Sequence, residues 1–236
     1  MRKIAKKLVD RYLVPLVAYV AAKACPNHEP NVVDEVIRDA IRDSADYANS
    51  KMQTALYFTD RQRIWDFAFA KIELDGLFAE FGVYKGYSIN YFARKLQNSS
   101  KTIYGFDSFE GLKEDWAGHE TARGDFSLGG SLPVVESNVQ LIKGWFDQTV
   151  PAFLAETAGN FAFVHVDSDT YEAAQTLFRL LDDRITAGTV IIFDEYFGYR
   201  GWRLGEWKAW QEYTSAKALR YEYLVFGPTQ VAVKVL

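Results

Sequence analysis

The sequence contains little that could form a disulfide framework, a zinc centre or a nucleic-acid surface. Among 236 residues there is one cysteine, Cys25, and there are three histidines. Zinc centres are built from clusters of these two residue types, and an internal disulfide needs a second cysteine, so neither is expected. The net charge of -4 provides no basic face for phosphate backbones, and we expect no nucleic-acid partner. Any bound metal would therefore have oxygen ligands.

The N-terminal segment lacks an apolar run long enough to cross a bilayer. Basic residues between Arg2 and Lys7 precede the apolar run Tyr12–Ala22, an order typical of a secretion signal, but Asp10 and Arg11 interrupt the transition. We therefore expect a cytoplasmic protein. Its first 25 residues are predicted to form a basic amphipathic helix that packs on a partner subunit, as in a homo-oligomer, or touches a membrane surface, with a membrane contact the less favoured.

From Leu77 onward, short apolar runs alternate with helical stretches, which is typical of an α/β fold with a mostly parallel sheet. The predicted strands cover residues 77–81, 102–106, 140–142, 161–166, 189–193, 221–226 and 230–235. Gly227-Pro228 separates the last two strands and predicts an antiparallel hairpin. Residues 1–57 are predicted to form an N-terminal helical extension or cap, and residues 58–236 a seven-stranded core.

A glycine turn follows the first predicted strand, in the order Glu80-Phe81-Gly82-Val83-Tyr84-Lys85-Gly86-Tyr87-Ser88. Glycine lets the backbone pass close to a ligand and adopt positive φ angles. The spacing is wider than the G-x-G-x-x-G of dinucleotide sites, which disfavours a nicotinamide cofactor. An acid at the entrance suits S-adenosylmethionine, which has a ribose and a cationic tail. The candidate binding residues are Glu80, Gly82, Tyr84, Gly86 and Ser88; the alternative is a turn that binds no ligand.

Further candidate cofactor contacts follow the second and third predicted strands. Asp107, with Ser108 beside it, stands 21 residues after Gly86, where its carboxylate could accept both hydroxyls of a ribose; it could instead cap a helix. Trp145, next to Gly144, could stack on an adenine or belong to the core.

Four carboxylates follow the next two strands, and the carboxyl ends of parallel strands meet at one edge of a sheet. They are Asp167, Asp169, Asp194 and Glu195. Such crowding requires a divalent ion, a shared proton or a positive cofactor, unless these acids cap helices and face water. Magnesium, calcium or manganese would suit the oxygen ligands. His165, within an apolar strand, is expected to be a hydrogen-bonded interior histidine.

An aromatic and basic segment comes after these acids, and from it we select Tyr199, Trp202 and Arg203 as candidate acceptor-binding residues. Aromatic rings beside arginines suit a planar or sugar-bearing acceptor. A subunit interface has the same composition, and the sequence leaves both possibilities open.

Taken together, four motifs in this order resemble the macrocin O-methyltransferase family. They are Glu80-x-Gly82-x-x-x-Gly86-x-Ser88, Gly105-Phe106-Asp107-Ser108-Phe109-Glu110-Gly111, Val166-Asp167-Ser168-Asp169-x-Tyr171 and Phe193-Asp194-Glu195-Tyr196. The resemblance, from about Phe58 to the C-terminus, implies a class I methyltransferase (Rossmann-like) fold. It also implies S-adenosylmethionine, often with Mg²⁺, and methylation of sugar or phenolic hydroxyls.

The resemblance also implies roles for the acids. Asp167, which also counts among the cofactor contacts, would be a metal ligand, Asp169 the general base, and Asp194 with Glu195 would complete the metal set. The family commonly has two aspartates where this chain has Asp194-Glu195. The longer Glu195 side chain shifts its carboxylate oxygens, and magnesium is strict about octahedral geometry, so the resemblance leaves open whether magnesium is required. The predicted function is an S-adenosylmethionine-dependent O-methyltransferase for a small-molecule acceptor. The alternatives are a non-catalytic S-adenosylmethionine-binding or assembly module and, less favoured, a nicotinamide-dependent oxidoreductase.

Overall fold

The computed structural model of the protein describes residues 31–236. The chain divides into two compact units, residues 1–38 and residues 39–236. The predicted amphipathic helix in residues 1–25, and the oligomer it would form, lie outside the described residues and stay predictions. The domain boundary proposed at residue 57 also stays a prediction, although residues 56 and 57 join the sheet of the second unit.

Six helices and eight strands make up the described chain. The helices are α1 (Val32–Lys51), α2 (Arg61–Phe69), α3 (Tyr87–Lys95), α4 (Phe146–Glu156), α5 (Tyr171–Leu181) and α6 (Glu206–Lys217). The strands are β1 (Leu56–Tyr57), β2 (Leu77–Phe81), β3 (Ile103–Asp107), β4 (Val139–Lys143), β5 (Phe161–Val166), β6 (Val190–Phe193), β7 (Tyr221–Phe226) and β8 (Val231–Val235). Short 3-10 helices span Asp182–Arg184 and Trp202–Leu204.

The eight strands form one sheet in the order β1-β7-β8-β6-β5-β2-β3-β4. Strands β6, β5, β2, β3 and β4 are parallel, whereas β8 runs antiparallel to both of its neighbours, β6 and β7. The predicted class I methyltransferase fold with its C-terminal hairpin is thereby confirmed. The predicted count of seven strands was wrong by one, because β1 adds a parallel pair of residues at the β7 edge. A run of two residues is too short to show the alternation by which strands are recognised.

Helices cover both faces of the sheet, so the central strands are buried on both sides. Residues Ile191 and Phe193 of β6 point to the face covered by α4, α5 and α6, whereas Val190 and Ile192 point to the face covered by α2 and α3. Successive side chains of a strand point to opposite faces, which explains why this strand is apolar throughout. The carboxyl ends of β2 to β6 are therefore left as the exposed edge where a ligand can enter.

Side-chain caps define several helix starts. The Asn31 side chain accepts hydrogen bonds from the backbone N–H groups of Val33 and Asp34, at 2.9 and 3.2 Å, and so acts as the N-cap of α1. The Thr170 hydroxyl caps α5 in the same way. Within residues 31–236, no helix is both long and apolar enough to cross a membrane.

Candidate active site

A cavity of about 520 Å³ opens at the carboxyl ends of the parallel strands. Its wall is made by the loops that follow β2 to β6 and by the first turns of α2, α4 and α5. Of the predicted site residues, the following line it: Gly82, Tyr84, Asp107, Ser108, Gly144, Trp145, Asp167, Asp169, Asp194 and Glu195. The topology thus brings together residues that lie up to 113 positions apart in the chain.

The turn after β2 requires glycine at its first position. Gly82 has a φ of 94°, and a Cβ atom there would lie 1.6 Å from the carbonyl oxygen of Asp167. A side chain is excluded by this contact as well as by the backbone angle. The close approach holds the glycine turn directly against the first acidic loop of the cavity.

Asp107 fixes the conformation of this turn. Its Oδ2 atom accepts hydrogen bonds from the backbone N–H groups of Val83 and Tyr84, at 2.8 and 2.7 Å, and its Oδ1 atom accepts one from Phe109 at 2.7 Å. The predicted alternative, a helix cap, is not what the structure shows, because the carboxylate bridges the loops after β2 and β3. Asp107 is half-buried and lines the cavity, so its oxygens can also meet a ligand there.

Three predicted cofactor contacts, Glu80, Gly86 and Ser88, do not line the cavity. The Glu80 carboxylate is fully buried, accepts a hydrogen bond from the Ser88 hydroxyl at 3.1 Å and lies 2.9 Å from Nδ1 of His165. Gly86 is also buried and begins α3 with a φ of 80°. The structure therefore does not bring Glu80, Gly86 or Ser88 to the cavity, where direct ligand contact was expected, because Glu80 and Ser88 are buried in contact with each other and Gly86 packs beside Pro133 and Val135.

His165 is the interior histidine that the sequence predicted. Burial opposes its charged form, but the neighbouring Asp194 and Glu80 carboxylates outweigh burial and raise the pKa of His165 to about 10. The imidazolium is therefore a positive charge beneath the acidic edge of the sheet, which it partly compensates.

One part of the cavity wall is aromatic. Trp145, half-buried, stands immediately before α4, and the Lys113 ammonium group lies 5.5 Å from the centre of its ring. Gly144 and Ser108 line the cavity beside it. The Ser108 hydroxyl accepts a hydrogen bond from the backbone N–H of Glu110, so this loop is held by its own side chain. The position suits stacking of a planar base on Trp145.

Three carboxylates meet where the loops after β5 and β6 face each other. One oxygen from each of Asp167, Asp194 and Glu195 lies within 4.8 Å of the others. The Oε2 atom of Glu195 is buried and has no hydrogen-bond partner. An all-oxygen set with an unsatisfied carboxylate oxygen fits a hard divalent cation such as Mg²⁺.

The electrostatics of these three acids differ. Burial and the nearby charge of Asp194 raise the pKa values of Asp167 and Glu195 well above their ordinary values. Burial acts in the same direction on Asp194, but contacts with His165 and the charge of Arg61 outweigh it and lower the pKa of Asp194. Asp194 is therefore the carboxylate of this group that the protein itself keeps ionised.

Asp169 faces the cavity from a strained backbone. Its φ is 63°, a left-handed conformation that residues other than glycine adopt at a cost of about 1 kcal/mol or more. Burial, followed by the charges of Glu206, Asp194 and Asp107, raises the pKa of Asp169 well above its ordinary value. Such strain at a cavity-lining acid is typical of a residue placed for function.

Arg61 is a cavity residue that the sequence did not indicate. It is the first residue of α2, and its Nη2 atom lies 3.1 Å from Oδ2 of Asp194. The side chain is about half exposed and lies above the ring of Trp65. No local pattern indicated that the start of a helix before the sheet would supply a cation to the acidic loops.

Glu206, also unassigned from the sequence, joins the two acidic loops from behind. Its fully buried carboxylate accepts hydrogen bonds from the backbone N–H and the hydroxyl of Ser168, at 3.0 and 3.2 Å, and from the N–H of Glu195 at 3.4 Å. Burial raises its pKa to about 7. The sequence offers one hint of this role: Glu206 is an acid at the start of a helix whose next residues include the aromatic Trp207 and Trp210.

The predicted acceptor segment lies largely outside the cavity. Trp202 is 2% exposed and packs edge-on against Tyr47 at 5.5 Å between ring centres. The Arg203 guanidinium donates two hydrogen bonds to Asp43, each of 2.8 Å, on another surface. The structure therefore does not bring Trp202 or Arg203 to the site, because burial in an aromatic cluster and a bidentate ion pair hold them elsewhere.

Tyr199 lies closer, in a second layer behind the wall. Its ring packs at 5.6 Å against Trp116, which lines the cavity, and its hydroxyl donates a hydrogen bond to the carbonyl oxygen of Glu195 at 3.3 Å. Tyr199 thus supports two residues of the wall without lining it.

A sequence match to a known protein family covers most of the residues of this site. The model of a family described as "methyltransferase domain" matches residues 79–196, from within β2 to just beyond the second acidic loop. The matched range contains the glycine turn, Asp107 and all four clustered carboxylates. The described fold and the matched sequence therefore point to the same family.

A curated relative and a solved enzyme are also similar to the chain. The 8-demethyl-8-(2,3-dimethoxy-alpha-L-rhamnosyl)-tetracenomycin-C 4'-O-methyltransferase of Streptomyces olivaceus is 26% identical over 144 residues, which cover 51% of this chain and 53% of the relative. The chain thus aligns with about half of that relative's length.

The solved enzyme is the calicheamicin methyltransferase CalS11. One structure has a TM-score of 0.59 at 19% identity and covers 87% of this chain and 94% of that one. Its apo structure, described as a TDP-rhamnose 3'-O-methyltransferase, has a TM-score of 0.54 at 18% identity and covers 87% and 96%. At these identities the likeness establishes the fold.

Proposed function

We propose that this chain, which belongs to the methyltransferase domain family, transfers a methyl group from S-adenosylmethionine to a hydroxyl group of a small-molecule acceptor. One observation carries the proposal: the Asp107-anchored glycine turn, Trp145 and the acidic loops with Asp169 line a single cavity. We place the donor beside the turn and Trp145, here called the donor end, and the acceptor beside Asp169, here called the acceptor end, so that the two would face each other.

The donor end would hold S-adenosylmethionine. Asp107 lines the cavity beside the glycine turn and can accept the ribose hydroxyls, while Trp145 offers a face to the adenine. The cationic methionine portion would then lie towards the acids, where the negative potential favours it. The cavity of about 520 Å³ is within the usual size of small-molecule sites.

The acceptor end would supply the base. As the hydroxyl oxygen attacks the methyl carbon, a C–O bond forms, the C–S bond breaks and sulfur keeps its electron pair, giving neutral S-adenosylhomocysteine. Asp169, which lines this end, takes the hydroxyl proton, so charge and atoms balance. Alignment of the two substrates in one cavity supplies much of the rate.

The cluster of Asp167, Asp194 and Glu195 would hold a divalent cation. When bound, such an ion orients an acceptor hydroxyl and lowers its pKa. Two features of the chain would favour binding of the ion. The pKa of Asp194 is lowered, so its carboxylate is ionised, and hydrogen bonds to Glu206 hold the two acidic loops together.

For the acceptor class we propose a sugar hydroxyl of a natural product. This rests on the Streptomyces olivaceus relative, whose substrate is a rhamnosyl tetracenomycin, and on the calicheamicin enzyme, which is described as acting on TDP-rhamnose. A cytoplasmic location and assembly through the N-terminal segment accompany the proposal as predictions.

A non-catalytic S-adenosylmethionine-binding module is the rival, and one experiment separates the two. The full chain is incubated with radiolabelled S-adenosylmethionine, Mg²⁺ and a panel of glycosylated and phenolic natural products, and methylated product is measured. We expect transfer by the wild type and at least a hundredfold slower transfer by Asp169→Asn, with S-adenosylhomocysteine affinity retained. Asp183→Asn, which changes an acid outside the cavity, is the control. Binding of the donor without transfer to any acceptor would favour the module.

A further inference from the structure

The wall of the cavity has many more acidic than basic side chains. Among residues 31–236, eight carboxylates line it, together with two cations, Arg61 and Lys113. The acids are Asp107, Glu114, Asp147, Asp167, Asp169, Glu172, Asp194 and Glu195. They come from the end of β3 and the loop after it, from the loops after β5 and β6 and from the first turns of α4 and α5, so the excess of negative charge is not confined to the two acidic loops.

Both cations are already engaged. The Arg61 guanidinium lies 3.1 Å from Asp194, and the Lys113 ammonium lies 3.5 Å from Asp147. Within the described residues, each basic side chain of the cavity wall is therefore already paired with one of the acids that line it.

We infer that the acceptor is an uncharged or cationic glycoside and that the nucleoside diphosphate form of the same sugar is rejected. This inference rests on the proposed function and narrows its acceptor class. A diphosphate group would bring two negative charges towards the acids at the rim, and like charges brought together at a binding surface suppress a wrong partner. A neutral glycoside meets hydrogen-bond acceptors that suit its hydroxyl groups.

Bound ligands reduce the excess charge without cancelling it. S-adenosylmethionine contributes one net positive charge and a divalent cation two, against an excess of six carboxylates over cations, so three carboxylates remain uncompensated when both are bound. The selection against a diphosphate therefore holds in the loaded enzyme as well.

The test uses matched pairs of ligands that share one sugar. The 4-nitrophenyl glycosides of rhamnose and of glucose are compared with the corresponding dTDP-sugars by calorimetric titration into the full chain saturated with S-adenosylhomocysteine and Mg²⁺. We expect the neutral partner of at least one pair to bind at least about tenfold more tightly. Added salt should strengthen binding of the dTDP-sugar relative to its neutral partner, because salt screens repulsion.

Reversal of one charge in the cavity wall tests whether the acids cause the preference for the neutral ligand. Glu172, exposed in the first turn of α5, lines the cavity and has no role in the proposed chemistry. Glu172→Lys should reduce the preference for the neutral ligand by about threefold or more, whereas Glu156→Lys, an exposed reversal at the end of α4 outside the cavity, should leave it unchanged.

Three outcomes would overturn the inference. They are equal or tighter binding of the dTDP-sugars, failure of every neutral glycoside to bind, and a preference that Glu172→Lys leaves unchanged. Tight binding of S-adenosylhomocysteine throughout would show that the donor end of the proposed function still stands. Loss of that binding would instead count against the proposed function itself.

Discussion

Removal of the Asp107 carboxylate should weaken donor binding and loosen the turn that forms the donor end. In Asp107→Ala, the N–H groups of Val83, Tyr84 and Phe109 lose their shared acceptor. A hydrogen bond to a charged group contributes about 1.5–3 kcal/mol, and the half-buried position lets water replace part of it. We expect the free energy of unfolding to fall by about 2–4 kcal/mol.

The effect on S-adenosylhomocysteine should be measurable separately. Loss of a charged acceptor for the ribose corresponds to about 1–3 kcal/mol, or a rise in Kd of about 5- to 150-fold. Calorimetric titration gives the Kd and urea unfolding gives the stability, so the two consequences can be compared in one variant. Asp107→Asn should fall between the wild type and Asp107→Ala, because an amide offers one acceptor oxygen where the carboxylate offers two.

Asp147→Ala is the matched control. This acid also lines the cavity, but it is exposed and its ion pair with Lys113 is a long one of 3.5 Å, so donor affinity should stay within about twofold. A folded Asp107→Ala variant that binds S-adenosylhomocysteine as tightly as the control does would refute the assignment of the ribose to Asp107.

Three further changes test other parts of the site. Arg61→Gln should raise the affinity for Mn²⁺ by about threefold or more, because it removes the cation that pairs with Asp194. The affinity is measured by calorimetric titration without acceptor, and an unchanged or weaker affinity would contradict a metal site at Asp194. Glu80→Ala should lower the free energy of unfolding by about 3–5 kcal/mol, since it removes the closer of the two carboxylates that face the buried His165 charge, and a loss below 1 kcal/mol in urea unfolding would count against the ion pair. Arg203→Ala should leave the acceptor's KM within about twofold of wild type, because its guanidinium pairs outside the cavity; a large rise in KM would return this residue to the acceptor site.

Much of the fold was predictable because its strands are buried on both faces. Strand β6 is apolar at every position, and the glycine turn after β2 requires a residue that tolerates a positive φ. The shared position of the acids was predictable as well, since residues just after parallel strands lie at one edge of the sheet. Local patterns sufficed for these features because each is determined within a few residues.

The remaining features depend on distant partners. Arg61 reaches Asp194 across more than a hundred residues of chain, and Glu206 reaches the backbone of Ser168 from another helix. The aromatic segment shows the converse. Trp202 has the composition of a binding surface, but its ring is buried against Tyr47, and no local pattern distinguishes a packed tryptophan from an exposed one.

The compensating contacts explain how so many acids can share one edge of the sheet. Beneath it, the buried His165 lies close to Glu80 and Asp194, and from the front Arg61 pairs with Asp194. The backbone N–H groups held by Glu206 fix the spacing of the loops that carry Asp167 and Glu195. Because positive charge reaches Asp194 from the protein on both sides, the uncompensated oxygens are those of Asp167 and Glu195. A methyl donor with a cationic centre, or a divalent ion, would satisfy these oxygens, and the charge of the cavity therefore favours the same reaction that its shape suggests.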